Sequence, residues 1–283
     1  MDGHNKLDAL TNDIRQMESI AVAYSGGVDS TFLLKVAQDV LHGNVVAVTA
    51  RSSTFPKREF REAIDFAQKI GAKQVVIDSE ELDIEGFSDN PVNRCYICKR
   101  ALFSKITDVA RQHHIRTVAD GSNVDDLGDY RPGMEAAKEL GVVSPLQDAG
   151  LSKEDIRILS REMGLPTWDK PAFACLASRI PYGQKITKET LVQVDQGEQF
   201  LLDLGFRQVR VRHHGDVARL EVSAHERSKF FDTALMDKVY EKFRQLGFSY
   251  VALDLKGYRT GSMNEVITTG KKEDEKGNSR PVR

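Results

Sequence analysis

Ser19-Ile-Ala-Val-Ala-Tyr24 is a continuous apolar run of strand length, and it passes directly into Ser25-Gly-Gly-Val-Asp-Ser30. Beyond it, Thr31 to Leu41 carries Phe32, Leu33, Val36, Ala37 and Val40 at helical spacing. A strand, a glycine-rich turn and a helix in this order aim backbone N–H groups at a phosphate. Gly26 and Gly27 let the backbone come close to the anion, while Ser25 and Ser30 add hydroxyl donors. Asp29 repels a bare phosphate, so its presence predicts a cation between them, Mg²⁺ arriving with ATP. The turn lacks a Walker lysine, which disfavours γ-phosphoryl transfer. A plain strand-to-helix turn capped by Asp29 and Ser30 is the alternative reading of this stretch alone.

Outward from the turn the pattern repeats. Strands are expected at 44–50, 74–77 and 116–119, and helices at 6–18, 57–70, 95–114 and 152–163. Strands alternating with helices at this pace imply βαβ units, hence an α/β fold with a doubly wound parallel sheet. The pattern changes near Pro181-Tyr-Gly183. A helix at 187–204, strands at 207–213 and 218–222 around His214-Gly215-Asp216, one long helix at 225–246 and a strand at 250–255 describe a second, smaller α/β domain. We therefore expect domains at 1–183 and 184–270, with 271–283, almost without apolar residues, as a disordered tail.

Composition narrows the function. The chain has 283 residues, 40% of them hydrophobic, enough for two ordinary cores. A net charge of −2 argues against a general nucleic-acid binder, which needs an excess of Lys and Arg. No apolar run approaches the roughly 20 residues that span a bilayer, and Met1–Asp8 lacks the apolar stretch of a signal peptide. A cytoplasmic protein is expected. Three cysteines, an odd number, then point to chemistry or metal binding rather than a disulfide framework.

Ser25–Ser30 resembles the pyrophosphate loop of ATP pyrophosphatases (the PP-loop superfamily, adenine nucleotide alpha hydrolase-like in fold). Asp120-Gly-Ser-Asn-Val-Asp-Asp-Leu-Gly-Asp-Tyr-Arg-Pro-Gly133 is similar to a second nucleotide segment of that superfamily. Gly121 ends a strand where a doubly wound sheet binds nucleotide; Asp125, Asp126 and Asp129 are candidates for Mg²⁺, and Arg131 for neutralising departing pyrophosphate. An Asx-rich surface loop is the plainer alternative.

Lys170-Pro-Ala-Phe-Ala-Cys-Leu-Ala-Ser-Arg-Ile-Pro-Tyr-Gly183 resembles the signature of the LarE family, as do Arg210-Val-Arg212, Glu221 and Asp254 to Asn264. The likeness runs from about Ser19 to Asn264. It implies an ATP-dependent sulfur transferase that adenylates a carboxylate of a pyridinium-3,5-dicarboxylate mononucleotide and makes a thiocarboxylate during nickel-pincer nucleotide cofactor biosynthesis. Catalytic roles then fall to Asp29, Cys95, Cys98 and Cys175. Nucleotide binding falls to Ser25, Gly26, Gly27, Asp29, Ser30, Gly121, Asp125 and Arg131, and substrate binding to Ser178, Arg179, Arg210 and Arg212. Arg210 and Arg212 alternate on one strand face, apt for a phosphate and two carboxylates; a solvated basic face is the alternative. Glu198 and Glu221 are candidates for binding a cation or for orienting these arginines, although Lys229 stands where a third carboxylate is expected. A homo-oligomer with no nucleic-acid or membrane partner is expected.

Members of that family obtain sulfur in two ways. In some, one cysteine gives up its own sulfur and becomes dehydroalanine; in others, three cysteines hold a [4Fe-4S] cluster that carries an extra sulfide. Cys95-Tyr-Ile-Cys98 with Cys175 fits the cluster type, since three thiolates leave one iron open. A structural zinc lacks a fourth ligand, because His113 and His114 lie some five turns along the same helix. A thioredoxin-like pair leaves Cys175 idle. A sacrificial Cys175 stays open, as do a tRNA thiolase, an ammonia-using synthetase of the NAD-synthetase type, and a binding module without turnover.

Overall fold

The computed structural model describes residues 2–128 and 132–259. Arg131, Asp129, the stretch beyond 259 and the expected tail lie outside them. Contacts divide the chain into two compact units. The first comprises Met1–Cys175 with Lys185–Lys188, the second Leu176–Gln184 with Glu189–Arg283.

The first unit is an α/β fold around a four-stranded parallel sheet. Its strands are β1 (Ile20–Ala23), β2 (Val45–Arg51), β3 (Lys73–Asp78) and β4 (Thr117–Ala119), in the order β3-β2-β1-β4. Its helices are α1 (Gly3–Met17), α2 (Val28–Leu41), α3 (Lys57–Lys69), α4 (Arg94–Gln112), α5 (Pro132–Glu139), α6 (Pro145–Asp148) and α7 (Lys153–Glu162). The chain winds outward from β1 to β3, then returns to place β4 on the other side of β1. Strand order therefore reverses beside β1, and the turn at 25–30 leaves its carboxyl end. That is where an open α/β sheet binds ligands.

Strand β1 reads as an unbroken apolar run because both of its faces are covered. Ile20 and Val22 pack with Leu10, Ile14, Phe32, Leu33, Phe66 and Ile156 on one face. Ala21 packs with Val46, Val48, Phe103 and Ile106 on the other. Helix α7 starts with a capping box: Asp155 donates its N–H to Ser152 Oγ, and its carboxylate accepts the Ser152 N–H at 2.9 Å. Asp155 also takes Lys6 Nζ of α1 at 2.6 Å, which fixes α1 against α7.

The second unit contains α8 (Lys188–Asp203) from Glu189 on, β5 (Val209–His214), β6 (Val217–Val222), α9 (Thr233–Gln245) and β7 (Tyr250–Leu253). The sheet order is β5-β6-β7, antiparallel between β5 and β6 and parallel between β6 and β7. The single helix expected over 225–246 is two elements. Residues 224–231 form a 3-10 stretch, and Asp232, whose carboxylate accepts the Ala234 N–H at 2.9 Å, starts α9 afresh. An N-cap aspartate within an apolar-periodic run was the signal for that break. Helices α5 and α6 carry too few periodic apolar residues to be expected from sequence.

Candidate functional site

Helix α2 begins at Val28, three residues before the apolar periodicity. Val28, Asp29 and Ser30 thus form its first turn, and their N–H groups precede the first intrahelical bond, Thr31 N–H to Gly27 O at 3.0 Å. Ser30 Oγ accepts the Ser25 N–H at 3.3 Å and lies 3.2 Å from Ser25 Oγ, closing the turn on itself. Gly26 has φ +69°, and a Cβ there meets Ala63 Cβ of α3 at 2.8 Å. Gly27 has an ordinary φ of −76°, and a Cβ there meets nothing nearer than Ser25 Oγ at 3.5 Å. Glycine at 26 serves the fold, whereas glycine at 27 keeps open the space in front of the helix N-terminus. Gly121 follows β4, and a Cβ there lies 3.0 Å from the Ser30 backbone nitrogen. The segment after β4 therefore rests directly on the turn after β1.

Asp29 is held by two residues that lie far off in sequence. Lys153, the first residue of α7, forms an ion pair with one carboxylate oxygen. Asn123 Nδ2 donates to the other at 3.4 Å. Asp125 and Asp126 are engaged elsewhere: Asp125 accepts the Lys153 N–H at the start of α7 at 2.8 Å, and Asp126 the Asn123 N–H of its own turn at 3.0 Å. A second lysine reaches the same turn. Lys170 Nζ donates to Gly26 O at 3.1 Å and pairs with Glu59 at 2.6 Å and Glu62 at 2.7 Å. Neither lysine was assigned a role from the sequence, because each sits more than a hundred residues from the turn it serves. The donor set suits Mg²⁺ entering with ATP: Asp29 is a hard-oxygen carboxylate at the mouth of an anion-binding turn.

All three cysteines belong to this unit. Cys95 lies in the first turn of α4 and Cys98 in the next, while Cys175 ends the irregular stretch after α7. Cys95 and Cys175 are exposed and Cys98 is half-buried. Burial pushes the Cys98 thiol well up; Cys175, Glu81 and Cys95 add to the rise and Lys99 opposes it. Cys98 thus stands within electrostatic reach of both other thiols. Among the described residues, however, no group of three His, Cys, Asp or Glu side chains is arranged to hold a metal ion. The thiols as placed do not fit a [4Fe-4S] cluster.

The second unit gathers the arginines. On β5, Arg210 and Arg212 share one face, opposite Glu221 and Arg219 of β6. Arg179 is fully buried and grips Glu198 with two hydrogen bonds of 2.8 Å, a bidentate fork. Glu198 also accepts the Val211 N–H at 3.0 Å. Burial pushes Glu198 up, but Arg179 and Arg210 overcome this and hold it below the usual carboxylate range. Arg212 donates to Glu221 at 2.7 Å and to Ser178 O at 3.1 Å, and Ser178 Oγ accepts from Arg179 at 2.9 Å. Burial and the charge of Arg179 pull Arg210 down to about 10, the response of a guanidinium crowded against other cations. Its Cζ lies 4.9 Å from the Tyr258 ring centroid, over the ring. Lys229 pairs with Glu226 at 2.8 Å, and His213 packs on Phe248 as a core residue.

Known proteins resemble this chain along most of its length. A family model described as NAD synthase matches residues 5–101. An uncharacterized protein of Synechocystis is 42% identical over 264 residues, covering 93% of this chain and 98% of its own length. The pyridinium-3,5-bisthiocarboxylic acid mononucleotide synthase of Lactiplantibacillus plantarum is 38% identical over 264 residues, covering 93% of this chain and 95% of its own. A glutamine-hydrolyzing GMP synthase chain of Thermoplasma volcanium is 27% identical over 200 residues, covering 65% and 63%.

Proposed function

The chain belongs to the LarE family of PP-loop ATP pyrophosphatases, and from that premise we propose that it adenylates a carboxylate of a pyridinium-3,5-dicarboxylate mononucleotide and replaces oxygen by sulfur, in nickel-pincer cofactor biosynthesis. ATP-dependent sulfur transfer is the activity its membership supports. One observation carries the sulfur reading over amide synthesis. All three cysteines lie in the unit that holds the phosphate turn, and Cys98 feels the other two. An ammonia-using synthetase needs none of them.

The geometry supports the following roles. The turn at 25–30 takes the phosphates on the N–H groups of α2, and the carboxylate of Asp29 receives the Mg²⁺ of Mg–ATP. Lys153, the ion-pair partner of Asp29 at the same turn, would offset the charge that builds on pyrophosphate as the α–β bond breaks. The substrate carboxylate oxygen attacks the α-phosphorus and pyrophosphate leaves. A sulfur nucleophile then adds to the acyl carbon; the C–S bond forms, the C–O bond to AMP breaks, and AMP departs with the electron pair. Arg210, Arg212 and Ser178 bind the phosphate and carboxylates of the substrate, whereas Arg179, expected from the sequence to join them, is fully buried on Glu198 and braces Ser178 instead. We keep Glu198 and Glu221 as the residues that orient these arginines. The division of labour proposed is nucleotide chemistry in the first unit and substrate anion binding in the second, which takes in 176–184 although the sequence placed the boundary after 183, in a cytoplasmic homo-oligomer.

For the sulfur source, cluster delivery and direct donation leave opposite signatures. A [4Fe-4S] cluster on Cys95, Cys98 and Cys175 requires iron and acid-labile sulfide in anaerobically prepared protein and leaves Cys175 intact. Direct donation is compatible with the exposure of Cys175; it breaks the Cβ–S bond and lowers the mass by one H₂S, once per chain. The test is pyrophosphate release with the mononucleotide, followed by iron and sulfide counts and intact-protein mass. Release that does not depend on the mononucleotide, or product without sulfur, overturns the assignment.

A further inference from the structure

The segment that ends in Cys175 begins at Lys170, and that residue also grips the nucleotide turn. From α7, the Arg157 guanidinium donates to the backbone carbonyls of Trp168 and Lys170, both at 2.7 Å. The backbone at 168–170 is thereby fixed. The Lys170 side chain leaves this root and is largely buried, at 11% exposure. Its ammonium has three donors, spent on Glu59 at 2.6 Å, Glu62 at 2.7 Å and the Gly26 carbonyl at 3.1 Å. It also lies 5.9 Å from the Phe173 ring centroid, halfway along the stretch to Cys175. Residues 170–175 have no helix or strand of their own.

In a planar trans peptide the carbonyl and the following N–H point in opposite directions. Fixing Gly26 O therefore fixes the Gly27 N–H, in the turn that meets the phosphates. A nucleotide that pulls on that N–H rotates the peptide and strains or releases the bond to Lys170. The two glutamates keep the ammonium paired in either case, so the contact with Gly26 can be made or broken without stranding a buried charge. We propose that Lys170 is a positioning residue that ties the reach of Cys175 to the state of the nucleotide turn. The proposal rests on the reading of that turn as the ATP site, and it adds an ordering: the thiol is presented in step with nucleotide binding.

The probe is Mg²⁺ with α,β-methylene-ATP, which cannot be cleaved at the α–β position. The readout is the rate of Cys175 alkylation by iodoacetamide, followed by peptide mass spectrometry, so it does not depend on sulfur transfer. In the wild-type protein the nucleotide is expected to change that rate about fivefold or more, the lower end of ordinary coupling between sites. In Lys170→Met/Glu59→Gln, which removes the tie without leaving a buried unpaired charge, rates with and without nucleotide should agree. Lys170→Arg should restore the difference at least in part. An equal nucleotide effect in wild type and double variant means simple shielding and overturns the proposal, as does no effect in wild type. Calorimetry separates the two readings. If α,β-methylene-ATP fails to bind the wild type, the ATP site itself is wrong; if it binds and leaves Cys175 unchanged, only the coupling is.

Discussion

Gly26 and Gly27 are neighbours of one type, yet the geometry assigns them opposite roles, and two alanine substitutions test this. In Gly26→Ala the new methyl meets Ala63 Cβ at 2.8 Å and the residue keeps φ +69°. Left-handed backbone costs an L-residue about 1–2 kcal/mol, and overpacking a tight contact about 1–3 kcal/mol. The expected loss is about 2–5 kcal/mol, or roughly 5–15 °C in Tm for a unit of this size. In Gly27→Ala the methyl projects into open space at φ −76°, so stability should hold or rise by up to about 1 kcal/mol. The same methyl stands where phosphate must approach. Losing one charge-assisted hydrogen bond costs about 1.5–3 kcal/mol, which weakens ATP roughly 10–150-fold. Calorimetric unfolding and ATP titration read the two effects separately. Wild-type ATP affinity in Gly27→Ala, or wild-type stability in Gly26→Ala, refutes the division.

Two further perturbations follow from the charge arrangement. The Lys6 ammonium, aided by the Ser152 cap, pulls Asp155 from 3.8 down to about 2. A depressed carboxylate stabilises above its unfolded value and loses that contribution as pH falls through its folded one. Asp155→Asn should therefore cost about 2 kcal/mol near pH 7, and its Tm should converge on wild type as pH falls from about 4 through about 2; a gap that stays undiminished at pH 2 contradicts this. Arg210→Met should leave unliganded stability near wild type, because burial and Arg179 already disfavour the charge. Mononucleotide binding should weaken by about 1.5–3 kcal/mol with ATP affinity unchanged, and equal losses for both ligands would refute the assignment.

How much of this was readable in the chain depended on how local each signal is. Strand β1, the glycine turn and α2 follow one another without interruption, so period and turn chemistry were sufficient. The strand period put Arg210 and Arg212 on one face because alternation is a property of neighbours. Lys153 and Lys170 carry no such mark. Each is an ordinary lysine until folding sets it against Asp29 or Gly26, across 124 and 144 residues. Asp125 shows the converse: its place beside other acidic residues suggested a cation, whereas its carboxylate caps the start of α7. Nothing in Cys-Tyr-Ile-Cys separates an exposed Cys95 from a half-buried Cys98; helix phase alone does that.

The strand order of the first unit also sets a timetable. Strand β2 can pair with β1 as soon as the intervening helix is made, but the other edge of β1 waits for β4. Ser19 Oγ accepts the Arg116 N–H across 97 residues of chain, and Ile20 pairs beside it with Thr117. At about 5–20 residues per second of synthesis, the most apolar strand of the molecule keeps an open edge for roughly 5–20 seconds on the ribosome. Edges of this kind recruit other strands. Nascent chains halted between β3 and β4 should therefore be held by chaperones or aggregate, and release should coincide with the emergence of residues 117–119.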